Sequence, residues 1–352
     1  MAVAVVFLGA AELTARIEDR LRQGVPLMAV PDHDRDLVIQ DMHGIRGKPN
    51  GRYKRWQLNR FGFRNGDMSE RPEPGTRRVM ALGASETFGL FESDGKEYPA
   101  QLESLLNAGG ARHEVINAAV PGLTLRGIIT LWNGWAANFQ PRDVLVYPTP
   151  AFYLGEYAPR YPVLGPPIEP EPLPSTTPRL LDRARDRFDF PVFVQRWRIR
   201  RMVQAEDARH DPGWFFRTVP ADRLEQFQSD LTELVRVIRV KGGNPILLTH
   251  ATAFSEPLDD GERDALEGLR VIRPRSTEAV LLAFEEAARQ ATLAVAADTG
   301  AGVVDVGARM NGRREWFAPD YVHFDDEGAG EVARLLAAYL LSQPGETRRP
   351  AD

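Results

Sequence analysis

The chain has 352 residues, 43% of them apolar and 26% charged, an ordinary balance for a globular protein large enough to bury a core without a staple. Its 44 basic and 49 acidic residues leave a net charge of −5, which gives no bulk reason to expect a nucleic-acid partner. Cysteine is absent, which excludes thiol catalysis, disulfides and cysteine-type zinc sites while leaving the compartment open.

Residues 1–30 open with an apolar run, MAVAVVFLGAA, followed at once by Glu12, Arg16 and Glu18. A membrane span needs about 20 apolar residues, and a signal peptide needs basic residues ahead of the apolar stretch. Two readings stay open: an amphipathic helix packed on the body, or the remnant of an anchor. Membrane proximity through this segment is one expectation, with an extracytoplasmic or membrane-associated location ahead of a cytoplasmic one. Residues 31–75 are polar and turn-rich with short alternating runs, and predict a β-rich extension.

From residue 76 to about 345 the pattern changes. Five continuously apolar runs, Arg78–Gly83, Glu114–Val120, Asp143–Tyr147, Pro245–His250 and Gly302–Val306, read as strands covered on both faces. Helical patterns alternate with them at Tyr98–Asn107, Leu125–Phe139, Asp222–Lys241, Thr277–Thr299 and Glu327–Leu341. This alternation predicts an α/β fold, a three-layer α/β/α sandwich on a five-stranded parallel sheet. Right-handed crossovers place all strand C-termini on one edge, where ligands bind in open sheets. An insertion at about 155–222 interrupts the pattern, first proline-dense (YAPRYPVLGPPIEPEPLPSTTP), then arginine-rich and helical, and a lid is its natural reading. Residues 346–352 are expected to be a disordered tail.

A hydrolytic serine needs an exposed hydroxyl, a base, a carboxylate that orients the base, and donors for the developing oxyanion. Ser85 follows the first core strand in Gly83-Ala84-Ser85, where small residues allow a sharp turn, and its own N–H points into the same space. Asp320 and His323, three apart before the last helix, can pair so that one ring nitrogen is held protonated and the other is left as base. Asp325 and Asp326 are N-cap candidates for that helix. Each piece alone is more often a turn or a loop histidine.

Together the pieces resemble the SGNH (GDSL-like) hydrolase family from about Arg78 to Leu341, and the resemblance implies a flavodoxin-like sheet. The family's Gly-x-Ser block is matched by Gly83-Ala84-Ser85, and its Asp-x-x-His block by Asp320 and His323. INAAVPGLT supplies Asn117 and Gly122 at its second block, where the Gly N–H serves the oxyanion hole. NRFGFRNGD is similar to an Asn-x-x-Gly-Phe-Arg element of bacterial members with an N-terminal extension. The third block, Gly-x-Asn-Asp, is not matched. DVLVYPTPAFYLGE places Thr149 at the Gly, Ala151 at the Asn and Phe152 at the second Asp, and Ala151 cannot donate to an oxyanion. Either the hole runs on the Ser85 and Gly122 N–H groups, or Thr149 or Tyr153 stands in.

Among the remaining residues, Glu86 beside Ser85 reads either as tuning it or as a helix-start acid, and Asn117 and His250 are further pocket candidates. Arg196, Arg198, Arg200 and Arg201 read as a solvated helix face, and Trp197 and Trp214 as packing residues. No nucleotide fingerprint or metal spacing is present, so no cofactor and no metal are expected. The expected activity is ester hydrolysis through an acyl-enzyme, on a small-molecule or polysaccharide ester, with removal of a short acyl such as acetyl from a carbohydrate or lipid. An O-acyltransferase on the same site and a polysaccharide-binding protein of the same fold are the alternatives.

Overall fold

The computed structural model describes residues 2–23, 27–28, 36–53, 55–110, 112–155 and 192–343. Helix α1 spans Ala2–Gln23. No helix among the described residues is long and apolar enough to cross a membrane. Ala15 is buried, whereas Val6, Phe7, Leu8 and Leu21 are exposed. The predicted β-rich extension holds two short antiparallel pairs, β1 (Val38–Asp41) with β2 (Gly44–Gly47), and β3 (Arg52–Tyr53) with β4 (Trp56–Gln57).

The five apolar runs form one parallel sheet: β5 (Arg77–Gly83), β6 (His113–Asn117), β7 (Asp143–Tyr147), β8 (Asn244–Leu248) and β9 (Gly302–Val304). Their order across the sheet is β6-β5-β7-β8-β9. This is the flavodoxin-like order, in which the chain starts inside the sheet and reverses direction after the second strand. Alternate residues face opposite layers. Met80, Leu82, Ile116, Val144, Val146 and Leu247 pack beneath α4 (Leu125–Gly134), α6 (Ala221–Val240) and α8 (Glu278–Thr299). Val79, Ala81, Val115, Leu145, Ile246 and Leu248 pack beneath α3 (Tyr98–Asn107) and α10 (Asp326–Ser342). The fold is a three-layer α/β/α sandwich on a five-stranded parallel sheet.

Several boundaries differ from the predicted ones for local reasons. β9 stops at Val304 because the Asp305 side chain accepts from Ala308 N–H and caps a short helix, α9 (Val306–Met310). The predicted helix over 125–139 breaks at Trp135 and finishes as a 3₁₀ turn, Ala136–Phe139. The proline-dense half of the predicted lid lies outside the described residues, as does the 346–352 tail. The second half contains α5 (Val192–Asp207), which docks on α7 (Asp260–Arg270). Arg200 there pairs with Asp264 at 2.6 Å and Glu267 at 3.3 Å, and Arg270 with Asp207 at 2.7 Å.

The extension is part of the same core. Leu37, Val38, Ile45, Leu58, Phe63 and Met68 join the α4/α6/α8 layer. Arg64 and Asn65 run beside the edge strand β6: Arg64 N–H donates to Asn117 O (3.1 Å), and Asn65 exchanges side-chain bonds with Val115 O and Asn117 N–H, both 2.7 Å. They occupy the backbone groups that an open sheet edge would expose.

Candidate active site

Ser85 begins a one-turn helix, α2 (Ser85–Phe88), at the C-terminal end of β5. The turn folds back tightly on the strand. A Cβ on Gly83 would lie 2.2 Å from Thr87 Oγ1 and 3.0 Å from Tyr147 O, so only glycine fits there. Ala84 offers the turn no side-chain cap, so the first N–H groups of α2 have no intrahelical acceptor. Ser85 is half-buried, and its Oγ donates to Glu86 Oε2 at 3.2 Å.

The far end of the turn is held from the extension and from β6. Asn117 Nδ2 donates to Thr87 O (3.1 Å) and Phe88 O (3.3 Å). Arg64 Nη1 donates to Phe88 O at 2.7 Å and to Gly89 O, while Nη2 faces Glu97 at 3.3 Å. Both side chains of that ion pair are nearly inaccessible, at 4% and 5%. Removing one member of such a pair leaves a buried charge uncompensated. Arg64→Leu is therefore expected to cost about 3–5 kcal/mol in urea unfolding; a loss under 1 kcal/mol would contradict the assignment of Arg64 as the anchor of this turn.

Asp320 and His323 form a pair. Asp320 Oδ1 accepts the N–H groups of Val322 (3.1 Å) and His323 (3.0 Å), and Oδ2 lies 2.5 Å from His323 Nδ1. Tyr321 adopts φ +66° between them, a conformation held by the stacking of its ring on Phe254 and by its carbonyl, which accepts Ala253 N–H at 2.9 Å. The loop is clamped by Ala318 N–H to His323 O (2.8 Å) and runs into α10, whose N-cap is Asp325. Since Nδ1 faces the carboxylate, the ring proton belongs there and Nε2 is left as acceptor. Nε2 is buried and has no hydrogen-bond partner among the described residues. Burial pulls the His323 pKa down, but the Asp320 hydrogen bond and the charges of Glu86, Asp320 and Glu92 outweigh it and raise it above the usual 6.5. No hydrogen bond joins Ser85 to His323 in this resting arrangement.

The three pocket candidates beyond Ser85, Asp320 and His323 are all buried. Asn117 is a brace for α2, and Glu86 and His250 belong to a chain of charges beneath Ser85. His250 Nε2 faces Glu86 Oε1 at 3.4 Å, and Nδ1 faces Glu285 Oε2 on α8 at 2.7 Å. Burial would push the His250 pKa down, yet the two carboxylates, Glu285 foremost, push it up to about 10. Burial would likewise raise Glu86, but the His250 hydrogen bond and the charges of His323 and His250 bring it down to about 2.

Neither proposed stand-in for the missing oxyanion donor is free. The Thr149 hydroxyl donates to Glu86 (3.2 Å), and the Tyr153 hydroxyl donates to Asp230 on α6 (2.7 Å), so both donors are already engaged. At Ala151 the carbonyl accepts from Arg273 Nε at 2.8 Å. Gly122 sits at φ +79°, a left-handed conformation suited to glycine, exposed and with nothing within 4 Å of where a side chain would project.

Two residues of the 89–97 loop flank His323. The Phe91 ring lies 5.0 Å from the His323 ring and is 44% exposed. Glu92 is 1% exposed, and burial, opposed by its own and the Phe91 amides, His323 and Arg64, raises it to about 8. A folded-state pKa above the unfolded value of 4.5 means that its contribution is full below pH 4.5 and is lost as pH rises through about 8. Glu92→Gln should flatten the melting temperature between pH 5 and 9 and raise it at pH 9, by about 1–2 °C for each kcal/mol recovered. A pH–melting curve parallel to that of the unmodified chain would contradict this.

Sequence reasoning missed Glu285, Arg273 and Glu92. Glu285 is one acid among several on α8, and no spacing links it to His250. Arg64 stood inside the quoted NRFGFRNGD element, but its task beneath Ser85 needs the third dimension. Among the described residues no group of three or more His, Asp or Glu could hold a metal ion.

No family model and no curated protein matches the chain. Solved structures similar to it include an acetylxylan esterase from Geobacillus stearothermophilus, at 14% identity and TM-score 0.44 over 77% of this chain and 97% of that one. A lipase/acylhydrolase from Enterococcus faecalis is 15% identical with TM-score 0.45, over 77% of this chain and 100% of the other. A putative lipolytic protein of the G-D-S-L family from Desulfitobacterium hafniense is 13% identical with TM-score 0.41, over 74% and 98%.

Proposed function

We propose that the chain is a serine ester hydrolase of the SGNH type, with Ser85 as nucleophile, His323 as base and Asp320 as the acid that orients it. The observation that carries this reading is the His323 ring: Nδ1 is fixed by Asp320 and Nε2 is enclosed and unpartnered at the sheet edge that also bears Ser85. Ser85 Oγ swings from Glu86 to Nε2, which takes its proton as the C–O bond to the substrate carbonyl forms. The oxyanion faces the Ser85 and Gly122 N–H groups, the donors left once Thr149 and Tyr153 are committed. Nε2 then protonates the leaving alkoxide. Water, deprotonated by His323, attacks the acyl carbon, and the Ser85 Oγ–C bond breaks as His323 returns that proton to Oγ, releasing the acid. Glu86, ionised down to a pH of about 2, is too weak a base to replace His323.

The reading extends to a short acyl group on a carbohydrate, for which the exposed Phe91 ring beside His323 offers a flat apolar platform. Transfer to a sugar hydroxyl would use the same site. p-Nitrophenyl acetate turnover with and without an oligosaccharide acceptor separates the two: free acetate as the main product supports hydrolysis, and acyl capture by the acceptor supports transfer. Absence of both turnover and fluorophosphonate labelling would leave a binding protein.

A further inference from the structure

The buried charge chain behind Ser85 has no part in the Ser-His-Asp scheme, although it ends on the nucleophile. Glu86 Oε2 accepts the Ser85 hydroxyl at 3.2 Å, its Oε1 faces His250 at 3.4 Å, and Thr149 adds a hydrogen bond at 3.2 Å. His250 is in turn tied to Glu285 at 2.7 Å. The Glu86 and His250 side chains are each only 2% accessible. A fully buried carboxylate and a fully buried imidazole are costly unless each is paired. Here the pairing runs as far as α8, so the chain spans the sheet edge from the nucleophile turn to the opposite flank.

We propose that Glu86 is a second positioning acid of this site, locked by His250 and Glu285, which holds the Ser85 hydroxyl at rest and supports the positive charge that His323 acquires during the reaction. The inference rests on the hydrolase reading above. His323 would then work between two carboxylates: Asp320 bonded to Nδ1, and Glu86 on the Ser85 side. Two negative charges around one imidazole favour its protonated form, which is the form present when Ser85 attacks. His250 keeps Glu86 ionised so that this support persists across the working pH range.

The other charged and titratable groups facing the chain do not substitute for it. Tyr98 and Tyr147 lie near Glu86 and are themselves held neutral, by burial first and by the Glu86 charge among other causes. Arg273 is buried, with its Nε spent on Ala151 O, and its charge acts on both Glu86 and Glu285. On the His323 side Asp320, Glu86 and Glu92 contribute charge. Glu92, raised to about 8, gains its charge only as pH approaches that value, which leaves Glu86 as the second acid ionised throughout.

The test uses the full chain, p-nitrophenyl acetate as substrate and a fluorophosphonate probe to count competent sites. Glu86→Gln keeps shape and removes charge. Per labelled site, kcat is expected to fall roughly tenfold, the factor that one pKa unit represents, with KM within about twofold. The acid limb of kcat/KM should move to lower pH, because His323 loses one of the charges that raise it. Glu285→Gln touches neither Ser85 nor His323 and serves if the first variant folds poorly. It should lower the His250 pKa from about 10, loosen the lock on Glu86 and lower kcat per labelled site in the same direction as the first variant. Glu86→Asp, which keeps charge, should restore the acid limb. Probe labelling with unchanged kcat and unchanged limbs in both variants overturns the positioning role alone. An unmodified chain that neither labels nor turns over ester removes the hydrolase reading and this inference with it.

Discussion

Ser85→Ala is expected to abolish fluorophosphonate labelling and to lower p-nitrophenyl acetate turnover roughly 10⁴–10⁶-fold. Folding should hardly notice. Ser85 is half-buried, its side chain makes a single hydrogen bond, to Glu86, and Glu86 keeps His250 and Thr149 as partners. A bond of that kind contributes about 1 kcal/mol. The contrast between a collapsed rate and a preserved melting curve separates a nucleophile from a turn residue. Labelling that persists in the alanine variant, located by mass spectrometry to another hydroxyl, would dismiss Ser85.

Asp320→Asn should lower kcat roughly 10³–10⁴-fold. With its one oxygen kept on the two backbone N–H groups, the amide presents its NH₂ to Nδ1. The NH₂ rotamer favours the tautomer with the proton on Nε2, and that ring cannot accept from Ser85. The pH dependence gives a second reading with a defined sign. In the unmodified chain kcat/KM rises as His323 loses its proton, at a pH above the usual 6.5 because Asp320, Glu86 and Glu92 together outweigh burial. Without the Asp320 charge that limb moves to lower pH even as the plateau falls. A plateau within tenfold of the original would show that His323 is oriented by something else.

The sheet was legible because each strand carries a short apolar run at its centre, which two-sided burial demands. Asp320 and His323 were legible because their pairing is local, three residues apart. Long-range partnerships were not. Nothing in the string joins Arg64 to the Phe88 carbonyl or Glu285 to His250, since a polar residue's partner is fixed by where the layers bring it. Thr149 and Tyr153 show the complementary limit: both carry hydroxyls in the right stretch of chain, and only their observed acceptors reveal that the hydroxyls are spoken for. Asn117 was placed at the site by pattern, and the structure gives it the work of a brace.

The strap formed by Arg64 and Asn65 bears on how this protein can be divided. A fragment starting at residue 76 would contain every strand of the five-stranded sheet together with Ser85, Asp320 and His323. It would also lack the counter-ion of Glu97, the donor to the last carbonyls of the nucleophile turn and the cover for the β6 edge. The unit that holds the candidate site is therefore longer than the sheet fold. Trimming the first 75 residues would leave the β6 edge uncovered and prone to pair with other chains, whereas a graft of this candidate site onto another scaffold would have to carry the strap along.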